Sequence, residues 1–190
     1  MNIENPQDHD VKITNDIDEL LKKSNPDIVL LATDSFTKGA YPKIKTIVEK
    51  GIHVISTAEE MAYPMANEPD LAKKMHQLAI DHNVSILGTG VNPGMMMDLL
   101  AVCISGVMDD VKDMEISRIN SLSPFGKTVM EEQGVGLSVE AFNKKLEEGE
   151  MAGHVGFKES VYMIADALGL KVKSFEQSMK PIITDIDRKS

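Results

Sequence analysis

The amino-acid sequence predicts an α/β fold, a partial parallel sheet followed by part of an α+β domain. Three features predict it. Continuous apolar runs recur between Asp27 and Gly88, each followed by a stretch with apolar residues at helical spacing. Such alternation is the pattern of a parallel sheet with right-handed crossovers. The runs are apolar throughout rather than at every second residue, as in strands covered on both faces. Near Asp109 the alternation stops and a looser pattern begins.

Taken in order, Val11 to Thr14 reads as a short early strand, with a short helix from Asp16 to Lys23 behind it. The run from Asp27 to Thr33 follows Pro26 and reads as a buried strand. Gly39 to Lys50 carries Tyr41, Ile44, Ile47 and Val48 at helical spacing, and Gly51 supplies a C-terminal stop. Ile52 to Thr57 is the next strand. Pro69 opens a helix bearing Leu71, Met75, Leu78 and Ala79, proline being favourable at the first helical position. Val84 to Gly88 is the third strand of the repeating pattern, and Met95 to Val107 reads as a largely apolar, buried helix. Val111 to Asn120 is looser and strand-like; Ser138 caps a helix through Glu148; Ser160 to Leu168 forms another, ended by Gly169. The boundary between a first domain, 1–109, and a second, 110–190, falls where the chain leaves the sheet.

The chain has 190 residues, with 20 Lys and Arg against 30 Asp and Glu, a formal net charge of −10. This acidic balance excludes nucleic-acid and anionic-membrane partners, which need clustered cations. No run of apolar residues is long enough to cross a membrane as a helix. The single cysteine, Cys103, rules out a disulfide framework and lies on an apolar stretch that reads as core. Together with the absence of a signal peptide it suits the cytoplasm. With no HxxxH or CxxC spacing, no metal site is expected.

In open parallel sheets ligands bind beyond the carboxyl ends of the strands. Those positions hold Thr33-Asp34-Ser35-Phe36, Thr57-Ala58-Glu59-Glu60 and Gly88-Thr89-Gly90-Val91-Asn92-Pro93-Gly94, all rich in small, hydroxyl or carboxylate residues. Any one of them is an ordinary turn; three on one edge make a site. The adjacent carboxylates Glu59 and Glu60 fit a general base beside a cleft, and equally a solvated pair favoured by a helix dipole. Farther on, Arg118 and Asn120 would share a face of a strand and could hold a carboxylate. His154, in a glycine-flanked stretch, is a candidate that titrates near neutrality.

The stretches LLATDSFT, VISTAEEMAYP, LGTGVNPGMMMDLL, RINSLSPFGKTVMEEQGVG and GHVGFKESVYMIADALG resemble the NAD(P)-dependent amine dehydrogenase family that includes 2,4-diaminopentanoate dehydrogenase, over Asp27 to Arg188. More distantly the turns are similar to those of dihydrodipicolinate reductase, an imine reductase. The resemblance implies a Rossmann-like nucleotide-binding domain over 1–109, and a substrate and oligomerisation domain over 110–190. It implies NAD or NADP as cofactor, oxidative deamination of a small diamine acid with release of ammonia, and a homodimer. Carried over by motif, Glu59 matches the catalytic carboxylate. Asn92, Arg118, Asn120 and His154 match pocket residues. Thr33, Asp34, Ser35 and Phe36, with Thr57, Ala58 and Asn92, match the cofactor contact. Met95 stands where the family often has an aromatic residue after its NPG motif.

The family's first strand and its GxGxxG turn have no counterpart, since no glycine precedes Val11. That turn seats a pyrophosphate on a helix N-terminus. The chain is therefore expected to be an internal fragment, with an open sheet edge and weak dinucleotide binding on its own. The alternative reading of such a piece is a non-catalytic binding or assembly module.

Overall fold

A computed structural model describes residues 13–122, 124, 126–151 and 154–183. Val11 and Lys12 of the early strand lie outside them, and Ile13 and Thr14 join no strand. The first described element is helix α1, Ile17–Ser24. Asp16 accepts from the Glu19 N–H at 2.9 Å, and Asn25 closes the far end in the left-handed conformation. This is the capping that a short polar side chain supplies to the unsatisfied N–H groups of a first turn.

Strands β1 (Ile28–Leu31), β2 (His53–Ser56) and β3 (Ile86–Gly88) form a parallel sheet in the order β1-β2-β3. Leu30 lies opposite Ile55, and Ile55 opposite Leu87. Helix α2, Thr37–Val48, makes the first crossover, and helix α3, Pro69–Asp81, makes the second. Both lie on one face, where Leu31, Ala40, Ile44, Ile47, Val48, Val54, Met61 and Met75 form the core with Leu21 of α1. The other face is open: Leu30 is 71% exposed, and Ile28 and Leu87 are also exposed. The expectation of strands covered on both faces thus holds for one face among the described residues.

Two short 3₁₀ turns, Glu59–Ala62 and Pro64–Ala66, carry the chain from β2 to α3. They sit so close to β3 that a Cβ on Gly88 would lie 1.6 Å from the Met61 carbonyl oxygen. Glycine is required there by backbone proximity.

The second region departs more from expectation. Helix α4 spans only Leu99–Ser105, because the turn through Pro93, Gly94 and Asp98 delays its start. It is not buried: Leu99 and Ile104 are exposed, and so is Cys103, which corrects the reading of that thiol as core. The strand expected over Val111 to Asn120 does not form: that stretch has no ladder partner among the described residues, and a strand needs one to pair its N–H and C=O groups. Helices α5 (Lys127–Glu132), α6 (Val139–Glu147) and α7 (Phe157–Ala167) follow. Ser138 caps α6 as expected, accepting from the Ala141 N–H at 3.2 Å. Helix α7 begins three residues before the expected Ser160.

Candidate functional site

The turns after β1, β2 and β3 lie at the carboxyl edge of the sheet, and α7 packs against those that follow β2 and β3. After β1, Thr33 and Asp34 are tied to α2: Lys43 Nζ donates to Thr33 Oγ1 at 2.9 Å and to Asp34 Oδ2 at 2.6 Å, and the Thr33 hydroxyl donates to Asp34 at 2.7 Å. These bonds, Lys43 first, hold the Asp34 carboxyl below its usual pKa. Ser35 is half-buried and Phe36 is exposed.

After β2, Thr57 is exposed, Ala58 is buried, and the two carboxylates part company. Glu59 is half-buried. Glu60 is buried, and its carboxylate accepts from the Thr37 N–H at 2.8 Å and from Asn67 Nδ2 at 3.2 Å. The pair is neither fully solvated nor equivalent.

After β3, the cis Asn92–Pro93 bond and Gly94, at φ 123°, turn the chain. Gly156, at φ 113°, packs onto Pro93 so closely that a Cβ would lie 2.3 Å from its ring. This contact sets the segment before α7 beside Asn92. Asn92 Nδ2 and His154 Nε2 lie 3.2 Å apart, and the Phe157 ring stands 4.5 Å from the His154 ring. Asn92 Oδ1 is buried with no hydrogen-bond partner. An orphaned buried acceptor fits a ligand N–H, since buried polar atoms are otherwise paired.

Burial pushes the His154 pKa below its ordinary value; the Arg118 guanidinium adds to that, while Glu59 pulls the other way. Asn92 and His154 are thus brought into contact, and Glu59 and Arg118 lie near enough to act on the charge of His154. Arg118 arrives on an unpaired stretch and is itself exposed. Asn120 is exposed too, without the strand geometry that would have set it on one face with Arg118.

Four further residues hold the site, and the sequence reading missed them. Asp98, fully buried, accepts from the N–H groups of Gly94 at 2.7 Å and Leu99 at 2.6 Å, and from the Ser160 hydroxyl at 2.9 Å. Its position just before the Leu99-Leu100 run was a cap signal. Asn67, Glu159 and Ser160 gave none, because their partners are distant in sequence. Asn67 donates to Glu159 and accepts from Lys158 Nζ at 2.7 Å. Tyr63 donates to Asp166, and burial with that bond pushes the Tyr63 pKa up to about 12.

Burial raises the Glu159 pKa, and Glu60 adds to the rise. A carboxyl whose folded pKa is raised stabilises the protein below its unfolded value of 4.5 and loses that contribution as pH rises through the folded value. Glu159→Gln is accordingly expected to flatten the decline of melting temperature from mildly acidic to alkaline pH, measured by thermal scans across that range. A variant that declines as steeply as the parent would refute it.

Comparison with known proteins gives three findings. Residues 95–190 match the protein family described as 2,4-diaminopentanoate dehydrogenase C-terminal domain. A curated 2,4-diaminopentanoate dehydrogenase of Acetoanaerobium sticklandii is 55% identical over 184 residues, 96% of this chain and 52% of that protein. The solved structure of an amine dehydrogenase from Mycobacterium smegmatis superposes with a TM-score of 0.65 over 85% of this chain and 47% of that one, at 23% identity, and supports the α/β fold. The chain spans about half the length of these relatives.

Proposed function

The chain belongs to the 2,4-diaminopentanoate dehydrogenase C-terminal domain family, and on that premise we propose that it takes part in an NAD(P)-dependent oxidative deamination. The substrate in this reading is 2,4-diaminopentanoate, which the name of the Acetoanaerobium relative suggests, and its oxidative deamination would give 2-amino-4-oxopentanoate and ammonia. The observation that carries this reading is the Asn92–His154 contact after the third strand of a parallel sheet, with Glu59 and Arg118 near enough to act on the charge of His154.

Each residue has a part. Glu59, half-buried, takes a proton from the substrate ammonium and later activates the water that adds to the imine carbon. Arg118, with Asn120, holds the substrate carboxylate. His154, whose pKa is lowered by burial and by Arg118, presents its imidazole to the substrate. Thr33, Asp34, Ser35 and Phe36, with Thr57 and Ala58, would contact the cofactor, and the unpartnered Asn92 Oδ1 would accept an N–H from the carboxamide or the substrate amine. A nicotinamide held by these residues would supply the hydride acceptor for the amine-bearing carbon. Water addition and C–N cleavage then release ammonia.

In this reading residues 1–109 form the nucleotide-binding domain and 110–190 the substrate and oligomerisation domain of a cytoplasmic homodimer. No helix among the described residues is long and apolar enough to cross a membrane. The test is direct: the full-length protein is given 2,4-diaminopentanoate with NAD⁺, then with NADP⁺. Reduced nicotinamide and ammonia are expected in equal amounts with at least one cofactor. Neither product with either cofactor would reject the proposal.

A further inference from the structure

We propose that Glu60 is a positioning residue, clamping the turn that carries Glu59 onto the turn after β1 and, through Asn67, onto α7. This rests on the reading of Glu59 as the general base. The clamp has two arms on one side. The Glu60 N–H donates to the Ser35 carbonyl at 3.1 Å, and the Glu60 carboxylate accepts from the Thr37 N–H at 2.8 Å. Thr37 is the first residue of α2, and Phe36 before it supplies no side-chain cap. A glutamate from another loop therefore does the capping, and its negative charge meets the positive end of the helix.

The third arm runs the other way. Asn67 Nδ2 donates to Glu60 and also to Glu159, and Asn67 Oδ1 accepts from Lys158. One amide thus joins two buried carboxyls, 9% and 1% exposed, from opposite sides of the site. All three elements of the clamp border the cluster: the turn after β1, the turn bearing Glu59, and the helix that follows His154. Glu59 has no freedom to move independently of its neighbour's backbone, so its distance from a bound amine is set by Glu60.

The chemistry suggests a rescue. Both Glu60 oxygens accept, so Glu60→Gln places an NH₂ against a donor, either the Thr37 N–H or the Asn67 amide. Asn67→Asp in the same molecule turns the facing donor into an acceptor. Burial favours a proton on Glu159, which then donates to the carboxylate so introduced, and Lys158 keeps its partner.

The experiment compares Glu59→Gln, Glu60→Gln and Glu60→Gln/Asn67→Asp in the full-length protein with 2,4-diaminopentanoate and cofactor. kcat and KM are measured with the melting temperature and the hydrogen-exchange rate of the Thr37 amide. Glu60→Gln is expected to lower kcat about ten- to a hundredfold, with little change in KM, since a misplacement of ~1 Å can cost that much. The Thr37 amide should exchange faster, and the double variant should recover most of both losses. A lower melting temperature with parental kcat would make Glu60 merely structural and overturn the proposal. So would a kcat loss that the second substitution fails to repair. Parental activity in Glu59→Gln would instead reject the general-base reading, whatever Glu60→Gln does. If Glu60→Gln does not fold, Asn67→Ala is measured, which keeps the Thr37 bond: a kcat loss supports the clamp and a parental kcat overturns it.

Discussion

Glu59→Gln is expected to lower kcat by about 10²–10⁴-fold in the full-length protein, the usual contribution of a general base. Glutamine keeps the size of the side chain and its capacity to hydrogen-bond, and loses only basicity. Glu59 is half-buried, and among the described residues its clearest influence is electrostatic, on His154. Its removal therefore breaks no buried network, and the melting temperature should stay near that of the parent. Cofactor affinity should also hold, because the residues assigned to the cofactor lie at other positions of the three turns. The check is steady-state kinetics beside a thermal scan. Parental turnover would move the base elsewhere, and His154 would be the next residue to test. Its neutral imidazole could take a proton that a carboxylate does not.

Asp98→Ala should produce the largest stability loss, about 3–5 kcal/mol. The side chain is fully buried and serves three donors: the Gly94 and Leu99 N–H groups and the Ser160 hydroxyl. Alanine leaves all three donors without that acceptor in a fully buried site. For a chain of this size the melting temperature should fall by roughly 10 °C or more. Denaturant unfolding monitored by circular dichroism measures the change. Asp98→Asn, which keeps one acceptor and the volume, should lose clearly less. Equal losses in the two variants would mean that volume rather than hydrogen bonding sets the cost.

Much of this was legible in the sequence, and the parts that were not share a cause. The runs that became β1, β2 and β3 announced themselves because burial in a parallel sheet needs unbroken apolar residues. Gly51 and Pro69 marked helix ends by their backbone chemistry alone. Asp16 and Ser138 act on N–H groups three residues away, so their capping is a local matter. Glu59 and Glu60, by contrast, are the same residue type at adjacent positions, and what separates them is the Thr37 N–H, 23 residues from Glu60. The Asn67–Glu159 contact joins residues 92 apart. No local pattern records such pairings. Cys103 and its helix misled for the opposite reason: apolar composition signals a face that seeks cover, and α4 meets α7 yet leaves Leu99, Leu100, Cys103 and Ile104 exposed. The stretch around Arg118 had the composition of a strand, but a strand is a relation between two segments.

Glu159 and Ser160 are consecutive on α7, and consecutive side chains leave a helix about 100° apart around its axis. Their bonds run to different loops, Glu159 to Asn67 and Ser160 to Asp98. Two anchors at that angle fix what one cannot. A single bond lets a cylinder roll about its long axis; two divergent ones remove the roll as well as the slide. The segment just before α7 is attached to that cylinder, so the bearing of the His154 ring toward Asn92, first set where Gly156 meets Pro93, is also held by this pair of contacts in the first turn. Loss of either anchor should leave the helix in place and let the imidazole swing.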